Sequence, residues 1–413
     1  MRFINKFNLL NDRVVNLILR SASGAFKFLF HILLITILDF NNYSFYALSV
    51  SFVNIILVVL GLEYYSFSTR LIASENRKKI GAFLGNQLFI ALFMTIIFIP
   101  LIFLYAKYIL LFKVSFISLM FFLMTEQVLR EIMRLLTSLN KQLSSTFVQL
   151  FYTVLPLLLC FVFYLFKVNT SVNYIFIFLC ITNFIIIIGS LYIYRNYFFP
   201  LSFNFLLLKH GLKISWKYIF IGFGNKLTIS GDKLILAKLI SPELLGAYSF
   251  IMTIGNFLNM TIESLIVSFA NPKLARISHL NNTRKFDNVF NRYLKEMILI
   301  IFITSLLFVI VWIMDLKSFR TVLDSNFILL FAILFLALNS LNMLYQSKLY
   351  SNKYDNTILW SILPFYLIFL LNPILTNFGV DSRILITLLA FSILNFLSLT
   401  IKLYLPNVLR KFL

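Results

Sequence analysis

Apolar runs of about twenty residues, each long enough to cross the hydrocarbon of a bilayer as a helix, recur from one end of this chain to the other. Reading for them gives twelve candidate spans. The first six are residues 17–38, 43–64, 81–104, 115–138, 146–166 and 173–194. The second six are 214–236, 246–270, 296–314, 326–346, 358–375 and 384–403. The longest connections, 195–213 and 271–295, are too short to hold a folded domain. The expected fold class is therefore all-α: a polytopic membrane protein with 12 transmembrane helices. Composition agrees, since 61% of residues are hydrophobic and 12% charged, against about 45–50% and about 25% in soluble domains. The two cysteines, Cys160 and Cys180, lie in apolar runs and exclude a disulfide scaffold or a cysteine-rich metal site. No small-residue cleavage site follows the first apolar run, so that run reads as a retained span rather than a signal peptide.

A net charge of +21 could suggest nucleic acid, but its distribution points elsewhere. If the N-terminus is cytoplasmic, 23 of the 36 lysines and arginines fall on the cytoplasmic side and 7 on the other. The other six, Arg20, Lys27, Arg130, Arg134, Lys226 and Lys233, lie deeper inside spans, while Lys217 and Lys402 at span ends are counted as cytoplasmic. That bias predicts both termini in the cytoplasm and accounts for the charge through an anionic leaflet, with no nucleic acid involved.

The chain also repeats. Tyr43-Ser44-Phe45-Tyr46-Ala47-Leu48 precedes or opens the second span, and Leu245-Gly246-Ala247-Tyr248-Ser249-Phe250 the eighth. Aligning Tyr46 with Tyr248 pairs Asn54 with Asn256 and His31 with Lys233. An even number of spans per half predicts two parallel six-helix lobes, 1–195 and 214–413, related by a pseudo-two-fold axis along the membrane normal. Residues 196–213 are then an amphipathic cytoplasmic linker.

Charges near mid-membrane are costly, so they face a cavity or a partner. The first span carries Arg20, Gly24, Lys27 and His31 at spacings of four, three and four, on one helical face. The seventh carries Lys226 and Lys233, which map onto the same face through the repeat. The fourth holds Glu126, Gln127, Arg130, Glu131 and Arg134. Glu126 and Arg130 read either as an internal ion pair that makes the helix insertable or as part of a site. Amide rows follow: Asn256 and Asn259, with Glu263, in the eighth span, and Asn339, Asn342 and Gln346 in the tenth. These suit interhelical hydrogen bonds or a hydrated lumen. Lys27, Arg130 and Lys226 outnumber Glu126 near mid-depth, so the expected ligand is an anion, and the amides suit a hydroxyl-rich one. Glu126 and Glu263 are the candidates for coupling to protons or sodium.

Asp39-Phe40-Asn41-Asn42-Tyr43-Ser44-Phe45-Tyr46 through Gly61, with Thr69-Arg70-Leu71-Ile72-Ala73, resembles the opening of Wzx-type polysaccharide and O-antigen flippases. These belong to the multidrug/oligosaccharidyl-lipid/polysaccharide exporter superfamily. Gly231-Asp232-Lys233-Leu234-Ile235-Leu236 followed by Ser241-Pro242-Glu243-Leu244-Leu245-Gly246-Ala247-Tyr248 resembles its seventh-to-eighth span junction, and Asn271-Pro272-Lys273-Leu274 the loop that follows. The resemblance implies movement of an undecaprenyl-diphosphate-linked oligosaccharide from the inner to the outer leaflet of a bacterial cytoplasmic membrane, by alternating access through a cationic lumen. It places the diphosphate-binding role on Arg20, Lys27, His31, Arg130, Arg134, Lys226 and Lys233. The glycan is expected to contact Asn54, Asn256, Asn259, Asn339, Asn342 and Gln346. It further implies a monomer, membrane lipids and other surface-glycan assembly proteins as partners, and no cofactor. Two rivals are weighed. A multidrug or cation antiporter of the same superfamily needs lumenal carboxylates, and the first span has none. A membrane-embedded O-antigen polymerase or ligase needs a sizeable outer loop, and the outer connections near 105–114 and 315–325 are short. No P-loop, metal-ligand spacing or nucleophile elbow occurs, so no enzyme is expected.

Overall fold

Hydrocarbon offers no partner to an unpaired peptide group, so an apolar chain of this kind must satisfy its backbone within each segment. The computed structural model does so with helices, and among the described residues there is no strand. Described are residues 2–68, 80–110, 113–139, 141–167, 170–262, 270, 273–274, 277–278, 283–313, 326–352 and 354–412. The helices are α1 (Arg2–Gly61), α2 (Ile80–Tyr108), α3 (Phe116–Ser138), α4 (Gln142–Leu165), α5 (Val172–Ile193) and α6 (Phe205–Leu236). They continue with α7 (Pro242–Ile262), α8 (Thr283–Ile313), α9 (Asn326–Ser351), α10 (Asp355–Ile362) and α11 (Val380–Phe412). Seven helical segments among the described residues are long and apolar enough to cross a membrane on length and composition alone. The fourth expected span falls short because Glu126, Arg130, Glu131 and Arg134 crowd nine positions of α3.

Helix α1 holds the first two expected spans. They join at Asp39, whose φ of 62° and ψ of 170° break the helical path. Few side chains tolerate that region. Here the Asp39 carboxylate repays the strain by accepting a hydrogen bond from the Asn42 backbone N–H at 2.8 Å, as an N-cap for the second half. The eleventh expected span is composite: α10 passes into a 3₁₀ stretch, Leu363–Leu370, and then Leu371–Leu375. Pro364 and Pro373 lie in this part of the chain, and each removes a backbone donor.

The chain divides into two compact units, Met1–Phe223 and Gly224–Leu413. In the first, α1 packs along α4, and Ser23 Oγ meets Thr153 Oγ1 at 3.2 Å. The outer face of α2 leaves Phe89, Leu92, Phe93, Ile96 and Ile97 about half exposed, as a lipid-facing surface requires. In the second, α9 packs on α11. Small residues allow close approach there: a Cβ at Gly255 of α7 would strike Leu336 of α9, and one at Gly224 would strike Ile362 of α10.

The expected linker, residues 196–213, is partly helical. A single turn, Arg195–Phe198, follows α5, and α6 begins at Phe205. Within the expected linker 196–213, residues 205–213 form the first turns of α6, and Asn204 Oδ1 caps that helix through the Leu207 N–H at 2.9 Å. The few residues left over lie flat on α2. A Cβ at Gly81 would collide with the carbonyl of Pro200, and one at Gly85 with that of Ser202. Asn86 exchanges two hydrogen bonds with the Asn204 backbone, both at 3.0 Å.

Candidate functional site

In the first unit the polar residues form networks centred on α3. Glu126 is buried and accepts from Arg130 Nε at 2.9 Å, Tyr152 Oη at 3.2 Å and Asn183 Nδ2 at 3.3 Å. Arg130 also donates through Nη2 to Asn54 Oδ1 at 2.6 Å. Four helices, α1, α3, α4 and α5, thus meet at one ion pair. The internal-pair reading of Glu126 and Arg130 is what the geometry realises, and charge-assisted bonds of this kind are strong where water is scarce. One turn on, Glu131 Oε1 accepts from Gln127 Nε2 at 3.1 Å and Arg134 Nη1 at 3.0 Å. The Arg134 guanidinium lies 4.8 Å from the Tyr65 ring centroid. Gly61 makes room for Gln127, since a Cβ there would sit 2.9 Å from Nε2.

The remaining first-span residues take different environments. Arg20 Nε donates to Thr146 Oγ1 at 3.4 Å, so it binds α1 to α4. Lys27 is partly buried. His31 is buried, with Nδ1 3.1 Å from Tyr43 Oη and its ring edge-on to Phe30 and Tyr46.

In the second unit Lys226 is partly buried and Lys233 buried. Beside Lys233, Asp232 is 1% exposed. Its Oδ2 accepts from Tyr248 Oη at 2.7 Å, while Oδ1 has no hydrogen-bond partner among the described residues. Asn342 Nδ2 donates to Asn395 O at 2.8 Å and Asn395 Oδ1 at 2.9 Å. Lys402 Nζ donates to Asn342 O and Oδ1 at 3.3 and 3.2 Å. Counted from sequence as a cytoplasmic tail cation, Lys402 is instead buried between α9 and α11. Asn342 therefore serves as interhelical glue, whereas Asn339 is buried with Nδ2 unpaired and Asn256 and Gln346 are partly buried. The side chain of Asn259 and residue Glu263 lie outside the described residues.

The cationic surplus expected at mid-depth is thus smaller than a residue count suggests. Arg130 is neutralised by Glu126, and Asp232 adds an acid that the count left out. Sequence reasoning also passed over Tyr152, Asn183, Asp232 as an acid, Tyr248 and Asn395. Each is a polar residue in an apolar span, which is a signal in itself, but naming its partner requires tertiary contacts. Among the described residues no group of three or more His, Cys, Asp and Glu could hold a metal ion.

No protein-family profile matches the sequence, and no curated protein matches it. Solved structures do match in fold. An inward-facing multidrug resistance MATE family transporter of the MOP superfamily aligns over 97% of this chain and 99% of its own, with a TM-score of 0.71 at 10% identity. The eukaryotic MATE transporter AtDTX14 aligns over 97% and 95%, with a TM-score of 0.70 at 13% identity. A mutant of the Vibrio cholerae MATE transporter VcmN aligns over 97% and 98%, with a TM-score of 0.61 at 12% identity. The chain is a multi-pass membrane protein with the twelve-helix, two-lobed fold of these structures.

Proposed function

We propose that this chain is an alternating-access transporter whose cargo is a lipid-linked oligosaccharide with a diphosphate headgroup, carried from the inner to the outer leaflet. The observation that carries this reading is the distribution of charge in the first half. The first span holds Arg20, Lys27 and His31 and no carboxylate, and the two acids of α3 are each committed to an arginine. A site of that kind favours an anion over an organic cation. Lys27 in the first half and Lys226 in the second are assigned to the diphosphate. The glycan role is kept for the amides not consumed in packing: Asn256, Asn339 and Gln346. A bacterial cytoplasmic membrane with both termini inside follows from the same reading.

A second reading, export of a drug or other organic cation, is favoured by one specific observation. Asp232 is a buried carboxylate with an oxygen unpaired among the described residues, and one structure of similar fold is described as a multidrug resistance transporter. One experiment separates the two. The purified protein is reconstituted in liposomes with a fluorescent polyprenyl-diphosphate oligosaccharide, and flipping is followed by loss of quencher-accessible signal. Lys27→Ala with Lys226→Ala is expected to slow flipping about tenfold or more, since each lost charge-assisted contact is worth about 1.5–3 kcal/mol. Wild type that fails to flip this lipid yet moves a cationic dye, with the movement lost in Asp232→Asn, establishes the second reading instead.

A further inference from the structure

The end of α1 holds two acids whose pairing neither reading uses. The helix stops at Gly61 because Leu62 and Glu63 both take left-handed backbone, with φ of 44° and 46°. Residues other than glycine seldom enter that region, and two in succession more seldom still. Glu63 leaves the helix against α6: a Cβ at Gly222 would sit 2.9 Å from Glu63 Oε1 and 3.1 Å from its Cγ. Among the described residues no cation pairs with Glu63. Its one side-chain hydrogen bond there is Oε2 accepting from Ser66 Oγ at 3.4 Å.

Glu131 of α3 lies beside Gly61, where a Cβ would come 3.7 Å from its Oε1. The residue is 2% exposed. Oε1 takes both hydrogen bonds made to this carboxylate, from Gln127 and Arg134. Oε2 is buried with no partner among the described residues. Glu63 is near enough for its charge to act on Glu131 and on Arg134. Arg130 also reaches Glu131, but it is bound to Glu126. Three carboxylates therefore share two guanidinium groups, and the described residues are one positive charge short.

Three effects favour a small cation at Oε2. A buried carboxylate oxygen without a donor is costly. A single positive charge closes the deficit, which a divalent ion would overshoot. The C-terminus of α1, next to Glu131, presents carbonyl oxygens and the negative end of a helix dipole, the kind of broken helix end that holds sodium in other membrane proteins. We propose that Glu131 Oε2, Glu63 and the last carbonyls of α1 bind a monovalent metal cation of sodium's kind. The ion ties the end of α1 to α3 and, through Glu63, to α6. The site is separate from the residues assigned to either cargo.

The test needs no cargo. The full-length protein in detergent is melted in sodium, potassium or choline chloride of equal ionic strength, and retention of radioactive sodium is measured in parallel. Sodium should raise the melting temperature by about 2–4 °C over choline and stay bound in excess choline. Glu131→Gln keeps the shape, removes the charge and should abolish both signals. Should that variant fold poorly for want of a partner to Arg134, Glu63→Gln decides alone. It leaves the Glu131–Arg134 pair in place and should cut sodium retention about tenfold. Potassium protecting as well as sodium supports the site with a wider choice of ion. Equal melting in all three salts overturns the assignment, the surplus acid then being held by a proton. Sodium retained undiminished by Glu63→Gln or by folded Glu131→Gln overturns it as well.

Discussion

Glu126 shows how one acidic side chain organises four helices. It accepts three hydrogen bonds from three different elements, including its own, so its removal strands Arg130 in a region where a bare charge is expensive. Glu126→Gln should lower the melting temperature of the purified protein markedly, with a loss of about 3 kcal/mol as the upper expectation for breaking such a pair from one side. Glu126→Gln with Arg130→Gln should cost less than the sum of the single changes, and strict additivity would refute the pairing. Lys402 behaves in the opposite sense. Among the described residues its ammonium meets only the two oxygens of Asn342, which compensate incompletely for lost water. Lys402→Met preserves the stem and removes the charge, so it is expected to raise stability by about 1 kcal/mol. Asn342→Leu, which removes the side-chain acceptor and leaves only the backbone carbonyl, should lower it. A fall in melting temperature on Lys402→Met would instead mean that the cation is held by something more than amides.

At the scale of elements, the flat seating of the inter-half connection on α2 depends on two missing side chains. Gly81 and Gly85 stand four apart, so they share one helix face, and what a Cβ at either would strike is backbone, which cannot rotate aside. Gly81→Ala and Gly85→Ala should each reduce folded yield and lower the melting temperature in fluorescence-detected size exclusion. Gly189→Ala, with nothing within 4 Å of its Cβ, should be neutral or slightly stabilising through helix propensity, by up to about 1 kcal/mol. Equal behaviour at the three positions would remove the packing explanation. This contrast also marks what could be read from sequence. Span positions were legible because twenty apolar residues in a row have few alternatives. The boundary at Phe205 was not, because the cap from Asn204 to Leu207 is local but the Asn86 side chain that holds Asn204 in place lies 118 positions away. Likewise, the i, i+4 spacing of Glu126 and Arg130 was visible, whereas Tyr152 and Asn183 as its further donors needed the fold. Lys402, next to last in the twelfth expected span, was counted with the tail cations, and only α9 beside it reveals its burial.

For the whole molecule, the charge bias makes a claim about orientation that no single helix makes. Cations concentrate on one side of the spans at 23 against 7, and burial of Lys402 changes that ratio too little to matter. By that count Asn196 is expected on the cytoplasmic side and Lys167, between α4 and α5, on the outer side. Both positions are exposed, so each can report on its side of the membrane as a single cysteine. The native thiols Cys160 and Cys180 are first replaced by alanine, which removes background. In intact cells a membrane-impermeant maleimide should then label Lys167→Cys and spare Asn196→Cys. Opening the cells should make Asn196→Cys react without changing Lys167→Cys. The reverse pattern would invert the topology, and with it the direction of the transport proposed above.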